Sequence, residues 1–136
     1  MRLSKKGDKP ITIKEVEKIL PLVQKTGRYT GGELNSVQKD KSKVDLRYAF
    51  CFPDSYEIGM SHLGMKILYS VVNERNDAWC ERVFAPWDDM EALMRENNVK
   101  LYALESGDSL DEFDLVGFSL QYELCYSNVL NMLDLG

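Results

Sequence analysis

The sequence predicts an α/β protein, doubly wound around a mainly parallel sheet that is incomplete at its carboxyl end. Three observations predict it. Short apolar runs alternate with amphipathic stretches from Val44 onward, two of those runs are apolar on both faces, and 44% apolar residues in a chain of 136 can bury one core. Strands that are apolar throughout need cover on both faces, which helices in right-handed crossovers provide.

The elements follow in order. Ile13, Val16, Ile19, Leu20 and Val23 recur at three- and four-residue steps, so Thr12 to Gln24 reads as a helix capped by Thr12, with Pro21 stopping or kinking it near Leu20. Lys25 to Asp45 is polar and punctuated by Gly27, Gly31 and Gly32, and residues 1–45 are read as a lead segment ahead of a domain at 46–136. Leu46 to Phe52 is a strand buried on both faces and ended by Pro53. Leu63, Ile67, Leu68, Val71 and Val72 give a helical stripe, with Ser61, or Asp54 with Glu57, as the start signal. Trp79 to Ala85 is a weaker strand. Pro86 precedes a helix carrying Trp87, Met90, Leu93 and Met94 on one face, Asp88 and Asp89 at its positive end, and Asn97 and Asn98 at its exit. Leu101 to Leu104 and Leu115 to Leu120 complete four expected strands. Ser127 caps a last helix bearing Val129, Leu130 and Leu133. Four strands are few for such a sheet, and a closing Leu135-Gly136 suits a turn into another strand, so the chain is expected to be a fragment of a longer protein.

Composition narrows the function. No window approaches the roughly 20 apolar residues of a membrane helix, and the charged start around Lys5 and Lys6 is no signal core, so a cytoplasmic protein is expected. Cys51, Cys80 and Cys125 are too widely spaced for a disulfide framework or a Cys-x-x-Cys zinc pair. The net charge of −5 divides unevenly: residues 1–47 hold 12 basic against 6 acidic residues, and the remainder holds 5 against 16. A basic lead without an aromatic ladder is better read as solvated than as a nucleic-acid contact.

The strand exits are where ligands sit in open α/β sheets. The richest runs from Pro53 to Gly64. Its Gly59-x-x-x-x-Gly64-Met65-Lys66 misplaces the lysine by one residue, about 100° around a helix, and lacks the following Ser or Thr, so nucleotide hydrolysis is rejected. No Gly-x-Gly-x-x-Gly occurs. His62, the one imidazole, reads as a surface or a hydrogen-bonded helix-start residue, and Glu105, Asp108, Asp111, Glu112 and Asp114 read as a solvated connection, not a calcium loop. No residue is expected to be catalytic in its own right.

Four stretches in order, Arg28-Tyr29-Thr30-Gly31-Gly32-Glu33-Leu34-Asn35-Ser36, Phe52 to Gly64, Glu81 to Trp87, and Gly117 to Leu124, resemble the amino-terminal region of a bacterial family of cobalamin-binding-domain radical-SAM proteins of undefined substrate. The resemblance covers residues 25–136. It implies a Rossmann-like, cobalamin-binding-domain-like fold, with the iron–sulfur cluster and S-adenosylmethionine held by a downstream core whose Cys-x-x-x-Cys-x-x-Cys motif this chain lacks. Cobalamin domains of the methionine-synthase type carry Asp-x-His-x-x-Gly after the first strand. Here Asp54-Ser55-Tyr56-Glu57-Ile58-Gly59 keeps that frame with Tyr56 in the histidine's place, so a bound corrinoid would have no protein ligand below its metal. Ser119 matches part of a Ser-x-Leu element that cradles the cofactor's tail, although Gln121 replaces the leucine. Asp54, Tyr56, Gly59 and Ser119 are therefore the expected cofactor contacts.

The expected function is a cobalamin-type cofactor domain of a radical-SAM enzyme. The alternative is a cofactor-free interaction module that docks the radical-SAM core or a macromolecular substrate. A flavodoxin-like flavin site is a third, weaker reading. Expected partners are the downstream core and, through exposed apolar surface, a second copy of the chain.

Overall fold

The structure is a computed structural model that describes residues 11–136, with side chains from Ile13 onward. The expected cap Thr12 lies inside the first helix and its side chain falls outside the described residues, as do residues 1–10 of the basic lead.

Three parallel strands form the sheet: β1 (Leu46–Phe52), β2 (Ala78–Phe84) and β3 (Leu115–Phe118), in the order β2-β1-β3. The register pairs Phe50 with Arg82 on one side and with Gly117 on the other. Around it lie α1 (Ile11–Ile19), α2 (Tyr56–Ser61), α3 (Leu63–Asn73), α4 (Asp88–Asn97) and α5 (Tyr126–Leu135). The class is the one the sequence predicts. Alternation along β1 sorts the core into two layers: Ala49 and Cys51 pack with Val16, Ile19, Met90, Met94, Met132 and Leu135 of α1, α4 and α5, whereas Phe50 and Phe52 pack with Met65 and Tyr69 of α3. Helices on opposite faces are what right-handed crossovers require when the chain runs from β1 to one edge and then back across to the other.

Helix boundaries follow local chemistry. α1 stops at Ile19, and Pro21 sits in the short 3-10 turn that follows. α4 carries Asp88, Asp89 and Glu91 in its first turn and ends at Asn98, whose φ of 53° is the left-handed conformation that asparagine tolerates. Two start signals differ from expectation. His62, not Ser61, caps α3 by accepting the Met65 N–H at Nδ1 (3.2 Å), and α5 begins at Tyr126, with Ser127 Oγ donating back to the Leu124 carbonyl.

Other expectations are corrected. Leu101 to Leu104 is no strand. It makes one antiparallel bridge, Tyr102 to Ser109, because the chain folds back at Gly107, whose φ is +73°. The acidic connection is only partly solvated: Glu105 binds Arg82 (2.7 Å) with its side chain buried, and buried Asp108 lies 2.8 Å from Arg47 and also pairs with Lys41. The largest correction concerns α3. Met65, Tyr69 and Asn73 face the sheet; of the expected stripe only Val72 packs against the core, while Leu63, Ile67, Leu68 and Val71 are 69%, 53%, 54% and 55% exposed. On α5, Leu130 and Leu133 likewise face outward.

The two edges of the sheet are treated differently. Along β2 the outward backbone groups from the Ala78 carbonyl to the Arg82 carbonyl have partners: Lys39 Nζ donates to the Ala78 carbonyl (2.6 Å), the Asn73 amide bonds both the N–H and the carbonyl of Cys80 (2.9 and 3.0 Å), Glu105 accepts the Arg82 N–H (2.7 Å), and the Leu104 N–H donates to the Arg82 carbonyl (2.9 Å). Outside β3 no further strand pairs among the described residues.

Candidate functional site: the carboxyl rim of the sheet

The rim is built by the segments leaving the three strands. After β1 the chain turns through Pro53 and Asp54, and Asp54 Oδ1 accepts the N–H of Ser55, the residue preceding α2 (2.7 Å). The Ala85 N–H donates to the carbonyls of Phe52 and Asp54, which ties the exit of β2 to that of β1. Asn128 on α5 donates to the Pro53 carbonyl (2.9 Å), and the Ser119 N–H at the end of β3 donates to the Cys51 carbonyl (3.0 Å).

Helices of β1 and β3 leave to opposite faces, so the crevice of an open sheet lies between these two strand ends. Asp54 and Ser119 stand at its two sides. Tyr122, just past β3, donates its hydroxyl to Asp54 Oδ2 (3.3 Å), and the nearby carboxylate raises that phenol's pKa. Ser119 Oγ accepts from Gln121 Nε2. Leu120 and Leu124 are exposed beside them.

Tyr56 and Gly59 lie on the other side, toward β2. The Tyr56 ring meets Phe84 edge-on with centroids 5.6 Å apart, and its hydroxyl donates to Glu33. Burial, then the Glu33 carboxylate, pushes the phenol up to about 12, so it stays protonated at neutral pH. Gly59 is buried: a Cβ there would stand 2.5 Å from Phe84 Cδ1 and 3.1 Å from Phe52 Cδ1. Gly59 thus permits α2 to touch the sheet, and its conformation is not what requires glycine. The cavity beside Tyr56 and Phe84 measures about 20 Å³, room for about one water and far too small for a macrocycle. The four expected contacts therefore fall into two pairs, and only Asp54 and Ser119 border the crevice.

The sequence reading did not anticipate what holds the β2 side shut. Arg28 Nε binds Glu57 on α2 (2.8 Å), its guanidinium lies 4.9 Å from the Trp87 ring centroid, and this pairing lowers the Glu57 pKa. The Tyr29 hydroxyl accepts the Trp87 N–H (3.1 Å), while its carbonyl accepts from Tyr102 (2.8 Å). The Arg28-Tyr29 pair belongs to the first stretch of the resemblance, and that was the available signal. Gly31, with φ of +63°, lies against the Leu104 carbonyl, where any side chain would collide.

Burial pushes the Cys51 and Cys80 thiols up to about 12, and His62 spends Nδ1 on its helix cap with its ring against Phe52 (5.3 Å). No group of three or more metal-ligating side chains occurs among the described residues, and no helix among them is long and apolar enough to cross a membrane.

A protein-family profile described as "Radical SAM proteins, N-terminal" matches residues 64–136, more than half of the chain. No curated protein and no solved structure matches it.

Proposed function

This chain belongs to the family of N-terminal regions of radical SAM proteins, and from that premise we propose that it is a docking platform for the rest of such a protein. The iron–sulfur cluster and S-adenosylmethionine would be held by the linked core, and this domain would set that core's position. The observation that carries the reading is the pairing of a β3 edge that no further strand joins among the described residues with an outward apolar stripe on α3, against a β2 edge whose backbone groups from the Ala78 carbonyl to the Arg82 carbonyl are occupied. Exposed apolar area of this kind marks an interface. A right-handed continuation from α5, which shares a face with α4, would lay its strand outside β3. Buried reduced thiols suit a cytoplasmic setting. Hydrogen exchange tests it: the Val116 and Phe118 amides and those of α3 should exchange more slowly in the intact radical-SAM protein than in this chain alone. Equal exchange in both would remove the reading.

A corrinoid bound at the crevice between β1 and β3 is the second reading, favoured by the placement of Asp54 and Ser119 at a switch point of the sheet. Such a group would supply cobalt chemistry; Asp54, Ser119 and Tyr122 would hold and orient it. Tyr56 and Gly59 are packed against protein and would shape the floor without touching it. Hydroxocobalamin titrated into the intact protein should shift its visible spectrum, and Asp54→Ala should abolish the shift. No change at high micromolar cofactor leaves the docking reading alone.

A further inference from the structure

A cavity of about 490 Å³ opens on the α3 side of the sheet, between that helix and residues 33–37. Its volume is within the range that takes a small organic molecule. The outer wall is pinned at three points: the Val37 N–H donates to Tyr69 Oη (2.8 Å), Trp79 Nε1–H donates to the Val37 carbonyl (2.9 Å), and Arg82 Nη2 donates to Ser36 Oγ (3.0 Å). A cavity whose walls are held this way needs little ordering on binding.

Its lining combines an adaptable apolar surface with two cationic groups. Met60 and Met65 supply unbranched thioether side chains that repack around a guest. Arg82 is 5% exposed. Its Nε binds Glu105 (2.7 Å) and its Nη2 binds Ser36, but Nη1 has only the Met60 sulfur at 3.4 Å, a poor acceptor for a buried guanidinium. Lys66, exposed on the first turn of α3, adds a charge that meets no carboxylate among the described residues. Two carboxylates also belong to the lining and keep their charge, so the head of an anion must seat at the Lys66–Arg82 end, away from Glu74. Glu33 already accepts from Tyr56, and Glu74 caps the far end of α3, eight residues or about 12 Å along the axis from Lys66.

We propose that this cavity binds a small anion with an apolar body, a carboxylate or phosphate monoester on an alkyl or aryl group. The head accepts from Arg82 Nη1 and Lys66, and the body lies over Met60 and Met65. The site adjoins the β2 side of the rim at Gly59 and stands whether or not the docking reading holds.

Methionine-methyl NMR of the full chain tests it with four probes: octanoate, octyl phosphate, octyltrimethylammonium and inorganic phosphate. Octanoate or octyl phosphate should move the Met60 and Met65 methyl signals saturably, and whichever binds tighter identifies the head group as carboxylate or phosphate ester. Lys66→Gln, on the surface, should weaken binding about fivefold, the measure of one partly exposed ion pair. Ser70→Trp, which fills the cavity from the exposed side of α3, should abolish the shifts while thermal unfolding stays unchanged. Failure to saturate at millimolar probe, an equal response to octyltrimethylammonium, or undiminished shifts in Ser70→Trp would each overturn the proposal.

Discussion

The backbone of Gly59 lies against the ring of Phe84 so closely that a methyl group there would sit 2.5 Å from Phe84 Cδ1. The contact joins α2 to the last residue of β2, and it leaves no layer between them for a ligand. Gly59→Ala should lower the unfolding free energy by about 1–3 kcal/mol, the usual penalty of overpacking. Urea denaturation reads this directly. An unchanged midpoint would mean that Phe84 turns aside freely.

Arg82 and Glu105 form a buried ion pair, with side chains 6% and 0% exposed. Glu105→Gln leaves the guanidinium buried without its counter-charge and should cost about 3–5 kcal/mol, visible as a large fall in Tm. Replacing both residues by Met should recover much of the loss, since neither charge is then stranded. A double variant no better than the single one would contradict this account.

Tyr56 links stability to alkaline pH. Its folded-state pKa of about 12 lies above the ordinary phenol value, so the proton is held more tightly in the folded protein. The stabilisation is complete below the unfolded pKa of about 10 and disappears as pH rises through about 12. The difference in phenolate absorbance between the protein and Tyr56→Phe should therefore appear near pH 12. Appearance near pH 10 would show an unperturbed hydroxyl.

The apolar stripe on α3 can be changed without touching the core. Ile67→Lys with Leu68→Glu should change the unfolding free energy by less than about 1 kcal/mol, as surface substitutions do, and abolish any self-association seen by sedimentation. Tyr69→Ala, one residue away but facing the sheet, should cost about 3–5 kcal/mol. If the first variant unfolds the protein, α3 has been assigned the wrong face.

The legible parts of this fold were those where local pattern and tertiary role agree. Leu46 to Phe52 reads as a two-sided strand because it is the central one, and the acidic first turn and asparagine exit of α4 are local devices. α3 was legible as a helix but not in orientation. Its apolar residues extend beyond one face, and the choice of Met65 and Tyr69 for the interior depends on the shape of the sheet above them. Glu105 and Asp108 were misread because their partners, Arg82 and Arg47, are distant in sequence and emerge only when β1 and β2 are side by side. At the rim, Asp54 and Ser119 could be placed from strand ends alone. The closure around Tyr56 and Gly59 could not, since it depends on Phe84, Glu33 and Arg28 arriving from three other segments.

The unequal edges of the sheet limit how copies of this chain can associate. With Asn73, Glu105 and Lys39 occupying backbone groups along β2, strand-to-strand pairing with a second molecule is open only at β3, and two molecules paired there have used up that edge. Edge-to-edge accretion stops at a pair, and a continuous β-ribbon of molecules has no place to grow.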